Sequence, residues 1–191
     1  MSLRVSLTLF VPALLVAGCD SEPEPAVQQQ EEISTPEPPA IGEIDYTQAS
    51  TKMVEATFRD PSGAELKTAD LRGKPVLLNL WATWCAPCVI EMPMLDDLAD
   101  SLGDEVRVLT VSQDMTGARV VEPFFAHAKF RNLEPWLDEP NLLSRELGGD
   151  LLPVTILFDA DGEEVFRVTG GFNWHSEEAI AAVREGISVS Q

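Results

Sequence analysis

The sequence predicts an α/β domain in which helices pack on a mixed, mainly central β-sheet. Three observations predict it. Two nearly continuous apolar runs of strand length, around Val76–Trp81 and Val106–Val111, suit strands buried on both faces. Each is followed by a stretch with helical spacing of apolar residues, so the pattern alternates as a parallel crossover requires. Val154–Phe158 and Glu164–Val168, joined by Asp159-Ala160-Asp161-Gly162, then read as an antiparallel hairpin near the end of the chain.

The elements follow in order from about Met53. Val54–Phe58 reads as a short strand and Pro61-Ser62-Gly63 as a turn. Thr68–Leu71 suits one helical turn before Gly73. Pro75–Trp81 supplies the central strand. A helix over Ala86–Leu102 places Val89, Met92, Leu95, Leu98 and Ala99 on one face, with Pro93 as an interruption. Val106–Val111 is a second buried strand. Gly117–Phe130 reads as a helix with Pro123 in its first turns, and Asn141–Leu147 as a shorter one. After the hairpin, Ser176 caps a closing helix through about Ile187, with Glu177 and Glu178 in its positive first turn. The order β-β-α-β-α-(α)-β-β-α gives a sandwich of about 140 residues.

The remainder of the 191 residues reads as an address and a tether. Arg4 precedes an apolar stretch, Val5–Ala17, that would span roughly 20 Å as a helix, short of a ~30 Å hydrocarbon core. Residues 1–18 therefore read as a signal peptide. Residues 19–50 carry eight acids, no base and five of the 14 prolines, with no apolar periodicity to repay ordering. About 30 such residues reach roughly 30 Å as a coil and up to ~90 Å when extended. The folded domain is expected over residues 51–191. The formal net charge is −19, which repels phosphate backbones and argues against nucleic acid as a partner. Only Cys19, Cys85 and Cys88 occur, so a disulfide-stapled miniprotein is excluded.

The chemistry sits where the central strand meets the helix, in Trp81-Ala82-Thr83-Trp84-Cys85-Ala86-Pro87-Cys88. A CxxC pair opening a helix puts the first sulfur near unpaired amides and the positive dipole end. That favours the thiolate and makes Cys85 the nucleophile. Cys88, one turn in, is placed to attack a mixed disulfide formed on Cys85, so exchange resolves itself. Other uses of the pair stay open. A structural disulfide over so short a loop removes little entropy. Zinc needs about four ligands, whereas His127 and His175 have no motif spacing. A copper site from Cys85, Cys88 and a distant histidine is compatible with composition, although a copper metallochaperone of the Sco type usually has CxxxC. A peroxidase of the peroxiredoxin type would need a Pro-x-x-x-Thr-x-x-Cys setting, which is absent.

Trp84-Cys85-Ala86-Pro87-Cys88 after a buried strand, followed by Glu91, Pro93 and Leu152-Pro153 before a later strand, resembles the thioredoxin superfamily. Within it the match is to membrane-anchored thiol–disulfide oxidoreductases of the TlpA/ResA type, over about residues 50–188. The resemblance implies a thioredoxin-like three-layer sandwich, a mixed central sheet with helices on both faces. It implies a redox-active disulfide between Cys85, the attacking cysteine, and Cys88, the resolving one. Pro153 matches the cis-proline beside that disulfide, and the backbone of Leu152 matches the segment that pairs with an extended substrate. Pro153-Val154 departs from the family's usual Pro-Thr. The spacing of 65 positions from Cys88 to Pro153 fits the helical insertion of this branch. Trp84 is expected to flank the site and cover the disulfide, with Trp81 packing in the core.

Glu91, three positions after Cys88, lies on the same helical face and matches the acid this branch keeps near its cysteines. Partly buried, it could accept the Cys88 proton and would have a raised pKa. Asn79 stands where thioredoxin carries a buried Asp, which leaves Glu91 as the proton acceptor. Pro93 reads as a plain kink. Val16-Ala17-Gly18-Cys19 resembles the bacterial lipobox, which implies lipidation of Cys19; Asp20 resembles an inner-membrane retention signal. The expected location is the periplasmic face of the inner membrane. No cofactor is expected. The expected partners are protein disulfide clients, such as apocytochrome c or copper-site assembly cysteines, and a membrane electron donor for re-reduction. Ala86-Pro87, with no histidine between the cysteines, argues for a reductant rather than an oxidase or isomerase.

Overall fold

Eight strands hydrogen-bond into one sheet in the order β1-β8-β7-β4-β5-β6-β2-β3 in the computed structural model, which describes residues 42–138, 140–147 and 151–189. The expected signal peptide, Cys19 and the tether as far as residue 41 lie outside the described residues. In chain order the elements begin with β1 (Ile44–Asp45), β2 (Thr57–Arg59) and β3 (Glu65–Lys67), followed by a 3₁₀ turn at Thr68–Leu71. Then come β4 (Val76–Trp81), α1 (Ala86–Leu102), β5 (Arg107–Ser112) and α2 (Ala118–Ala128). The chain ends with β6 (Trp136–Leu137), α3 (Leu142–Glu146), β7 (Val154–Phe158), β8 (Glu164–Thr169) and α4 (Glu177–Val189).

All six residues of β4 are buried, as the apolar run requires. It pairs parallel with β5 and antiparallel with β7, which makes the sheet mixed. Its side chains alternate between two cores. Leu77 and Trp81 join Met92, Leu95 and Leu98 of α1, Val121 of α2, and Ala179 and Val183 of α4. Val76, Leu78 and Leu80 join Phe58, Leu66, Leu71 and, from α3, Leu143. Helices therefore cover both faces, with the larger core beneath α1, α2 and α4. The helix expected over Ala86–Leu102 has those bounds and runs unbroken through Pro93, whose ring faces solvent. Ser176 caps α4, its Oγ accepting from the Ala179 amide at 3.1 Å.

The expected boundary at residue 50 is corrected by the structure. Residues 42–50 belong to the domain: Ile44 and Asp45 pair with Val168 and Arg167 of β8. The Gly42 amide donates to the Gly171 carbonyl at 2.8 Å. Gly42 runs so close to β8 that a Cβ there would stand 2.6 Å from Val168 Cγ1. Glycine is the residue that permits this approach. Ile44 packs on the larger core, but a two-residue strand is too short to show a periodicity. The strand expected over Val54–Phe58 forms only at Thr57–Arg59, and β3 and β6 were not expected. Among the described residues no helix is long and apolar enough to cross a membrane.

Candidate active site

The end of β4 and the start of α1 bring the two cysteines to one edge of the sheet. Beyond Trp81 the chain turns through Thr83, held by the carboxylate of Asp114 just past β5. Asp114 accepts from the Thr83 amide at 2.9 Å and from the Thr83 hydroxyl at 2.7 Å. The same carboxylate accepts from Ser112 Oγ at 2.9 Å. This clip fixes where the helix begins. Cys85 is its N-cap, and Pro87 sits in the first turn, where a missing N–H costs nothing.

Cys85 and Cys88 form a disulfide with Cα atoms 5.3 Å apart. Cys85 Sγ accepts from the Cys88 amide at 3.3 Å, the bond that would steady a thiolate there once the disulfide opens. Cys85 retains 6% exposure and Cys88 none, so an incoming sulfur reaches Cys85 first. Trp84, adjacent in sequence, is 71% exposed, while Trp81 is buried against Phe124 at a ring separation of 5.0 Å. Leu152–Pro153 is a cis peptide bond. The Leu152 N–H and C=O take no backbone partner among the described residues.

Glu91 is buried at 1% exposure and stands at the centre of a hydrogen-bond network. Its Oε1 accepts from Asn79 Nδ2 at 2.8 Å, and the same amide nitrogen donates to Thr155 Oγ1 at 2.9 Å. Its Oε2 accepts from the Phe172 amide at 3.2 Å and from Trp174 Nε1 at 3.3 Å. Burial pushes the Glu91 carboxyl up to about 7, against the opposing pull of the Phe172, Asn79 and Trp174 donors. A carboxyl poised there exchanges protons near neutrality. Asn79 is thus the carboxylate's partner, not an independent proton group.

Sequence reasoning missed Trp174, the Phe172 amide, Thr155 and Asp114. Nothing in the local pattern marks them, because each reaches the site through tertiary packing. The Gly170-Gly171 pair ahead of two aromatic residues was the one available sign of a close backbone approach. Among the described residues, no group of three or more His, Cys, Asp and Glu side chains is placed to hold a metal ion.

A buried disulfide capping a helix, a cis-proline before β7 and a buried acid on the same helix define a protein of the thioredoxin fold with a CxxC redox centre. Residues 49–174 match the AhpC/TSA family, and the chain belongs to that family. Among curated relatives, thiol-disulfide oxidoreductase ResA of Bacillus thuringiensis is 30% identical over 112 residues, 58% of this chain and 64% of the relative's length. The thiol:disulfide interchange protein HelX of Rhodobacter capsulatus is 30% identical over 165 residues, 85% of this chain and 86% of its own. The crystal structure of a thiol-disulfide oxidoreductase of Bacteroides vulgatus superposes with a TM-score of 0.63. It is 24% identical and covers 73% of this chain and 96% of that one, a likeness that shows the fold.

Proposed function

We propose that the chain is an extracytoplasmic thiol–disulfide oxidoreductase that reduces protein disulfides through Cys85 and Cys88. The observation that carries this reading is the buried Glu91, which lies on the helix that carries the disulfide and is held by three donors from elsewhere in the chain. A structural bridge has no use for a carboxyl poised near neutral pH. A dithiol that must shed a proton from its second cysteine does. The names of the relatives support the same class of activity.

In the reduced protein the Cys85 thiolate attacks one sulfur of a client disulfide, forming a mixed disulfide and expelling one client thiolate. Glu91 takes the Cys88 proton. The Cys88 thiolate then attacks Cys85 Sγ, closing the Cys85–Cys88 disulfide and releasing the second client thiolate. The client gains two electrons and the domain loses two. The backbone of Leu152 pairs with the client, and Trp84 flanks the reacting sulfurs. A membrane electron donor restores the dithiol, and lipid on Cys19 keeps the domain at the periplasmic face of the inner membrane. The lipobox-like Val16-Ala17-Gly18-Cys19 supports that anchoring, and Ala86-Pro87 supports the reducing direction. The clients implied by the resemblance are apocytochrome c or the cysteines of copper-site assembly proteins.

A Cys88→Ala variant tests the reading, since it forms the mixed disulfide and cannot resolve it. The expected result is covalent adducts on Cys85 that dithiothreitol releases and that Cys85→Ala abolishes. Absence of adducts in cells that express the variant would overturn the assignment.

A further inference from the structure

The segment Gly170–Trp174 closes on the redox site from a distant part of the chain, and the steps above make no use of it. The Gly170 amide donates to the Pro153 carbonyl at 2.8 Å. Gly171 lies against Pro87, one of the two residues between the cysteines, and an added Cβ would stand 3.3 Å from Pro87 Cβ. The Phe172 amide and the Trp174 indole both donate to Glu91 Oε2. One five-residue segment therefore touches the cis-proline, the CxxC loop and the carboxylate.

Trp174 is 1% exposed and lies in the larger core, its ring edge-on to Phe172 at 5.0 Å. A buried indole N–H must have an acceptor, and here the acceptor is the carboxylate proposed above to take the Cys88 proton. We propose that Trp174 is a positioning residue for the dithiol chemistry: with the Phe172 amide it orients the Glu91 carboxylate and sets how readily that group takes the Cys88 proton. This inference rests on the role proposed for Glu91.

The physical argument is a balance of two opposing effects. Burial favours the neutral acid, which cannot accept a proton; each N–H aimed at an oxygen favours the anion, which can. Glu91 Oε1 has Asn79, and Oε2 has two donors from the 170–174 segment. Its hydrogen-bond partners are Asn79 from β4 and the Phe172 amide and Trp174 indole from that segment, and Cys88 stands three positions back on α1. No charged side chain contributes to its shift, which comes from burial opposed by these three donors. Removing the indole N–H leaves burial less opposed.

The test uses the full chain with Trp174→Phe, and separately with benzothienylalanine at position 174, which keeps the ring's shape and lacks the N–H. The Glu91 carboxyl is followed by carbon-13 NMR in the oxidised protein and identified by its loss in Glu91→Gln. The pH dependence of exchange with a peptide disulfide is measured alongside. In both Trp174 variants the Glu91 titration should move upward, to about a tenfold weaker acid, equivalent to ~1.4 kcal/mol. The midpoint of the acid limb of the rate profile should move with it, while the rate at high pH is kept. In the Glu91→Gln background, Trp174→Phe should leave the profile where it is. An unmoved Glu91 titration in the isosteric variant overturns the inference. A moved titration with an unmoved rate profile overturns the proposed role of Glu91 and leaves Trp174's hold on the carboxylate standing.

Discussion

Asn79 Nδ2 lies 2.8 Å from Glu91 Oε1, tying the middle of the central strand to the second turn of the active-site helix. The amide spends its nitrogen on Glu91 and Thr155, while its own Oδ1 is buried without a partner. That leftover acceptor has a use. Turned over, Asn79 would offer Oδ1 to a donor at position 91, either the O–H of protonated Glu91 or the amide of a glutamine placed there.

Glu91→Gln is therefore expected to fold, and to alter stability in a pH-dependent way. The folded carboxyl titrates at about 7 against 4.5 in the unfolded chain, so the folded state holds the proton more tightly. The group's contribution is fully present below pH 4.5 and is lost as pH rises through about 7, a change of ~3 kcal/mol. Denaturant unfolding of the oxidised protein should show this fall between pH 4 and 8 in the wild type. The glutamine variant should lack it; identical slopes in both would contradict the buried-acid assignment.

Asp114→Ala should loosen the start of the helix, because it strips the acceptor from both the amide and the hydroxyl of Thr83. A half-buried amide left unpaired costs about 1–3 kcal/mol. The expected outcome is a lower denaturation midpoint, with Asp114→Asn recovering part of the loss. A variant within ~0.5 kcal/mol of wild type would mean that the clip is dispensable.

The Cys85–Cys88 couple should sit near the thioredoxin end of the scale, around −270 mV, because Ala86-Pro87 gives the Cys85 thiolate no histidine partner. Replacing that pair by Pro-His should raise the potential by tens of millivolts, with ~30 mV corresponding to about 1.4 kcal/mol. Equilibration against a dithiothreitol couple, read by the fluorescence of the exposed Trp84, measures both. A wild-type value above about −180 mV would replace the reductant by an oxidase or isomerase.

Cys19→Ala should leave the protein in the soluble fraction after cell breakage, whereas the parent remains with membranes. Equal membrane recovery of the two would remove lipid at Cys19 from the account.

The parts legible in the sequence are those where one local rule acts alone. The bounds of α1 follow from a capping cysteine, Pro87 in the first turn and Gly103 beyond the last. The nearly continuous apolar run of β4, broken only by Asn79, suits a strand buried on both faces. Cys85 and Cys88 stand out by the spacing of their motif, whereas Glu91 and Pro153 stand out only through the family resemblance. The two-residue strands β1 and β6 do not stand out, because their stability comes from neighbours already in place. Trp174 was not found for a related reason: 83 positions separate it from Glu91, and a tryptophan in a polar loop carries no local mark of its acceptor.

Residues 42–53 also protect the molecule from its own kind. Along the outer side of β8, Ile44 and Asp45 pair with Val168 and Arg167, and the Gly42 amide reaches Gly171 beyond the strand's end. Nearer the hairpin, Ser50 and Thr51 exchange backbone bonds with Glu164, and Lys52 bridges Glu163. The six-residue strand is thereby fenced by a ragged, mostly polar border too short to template another chain. A protein begun at residue 54 would bare the unsatisfied backbone of Glu164–Thr169 and invite two copies to zip together edge to edge.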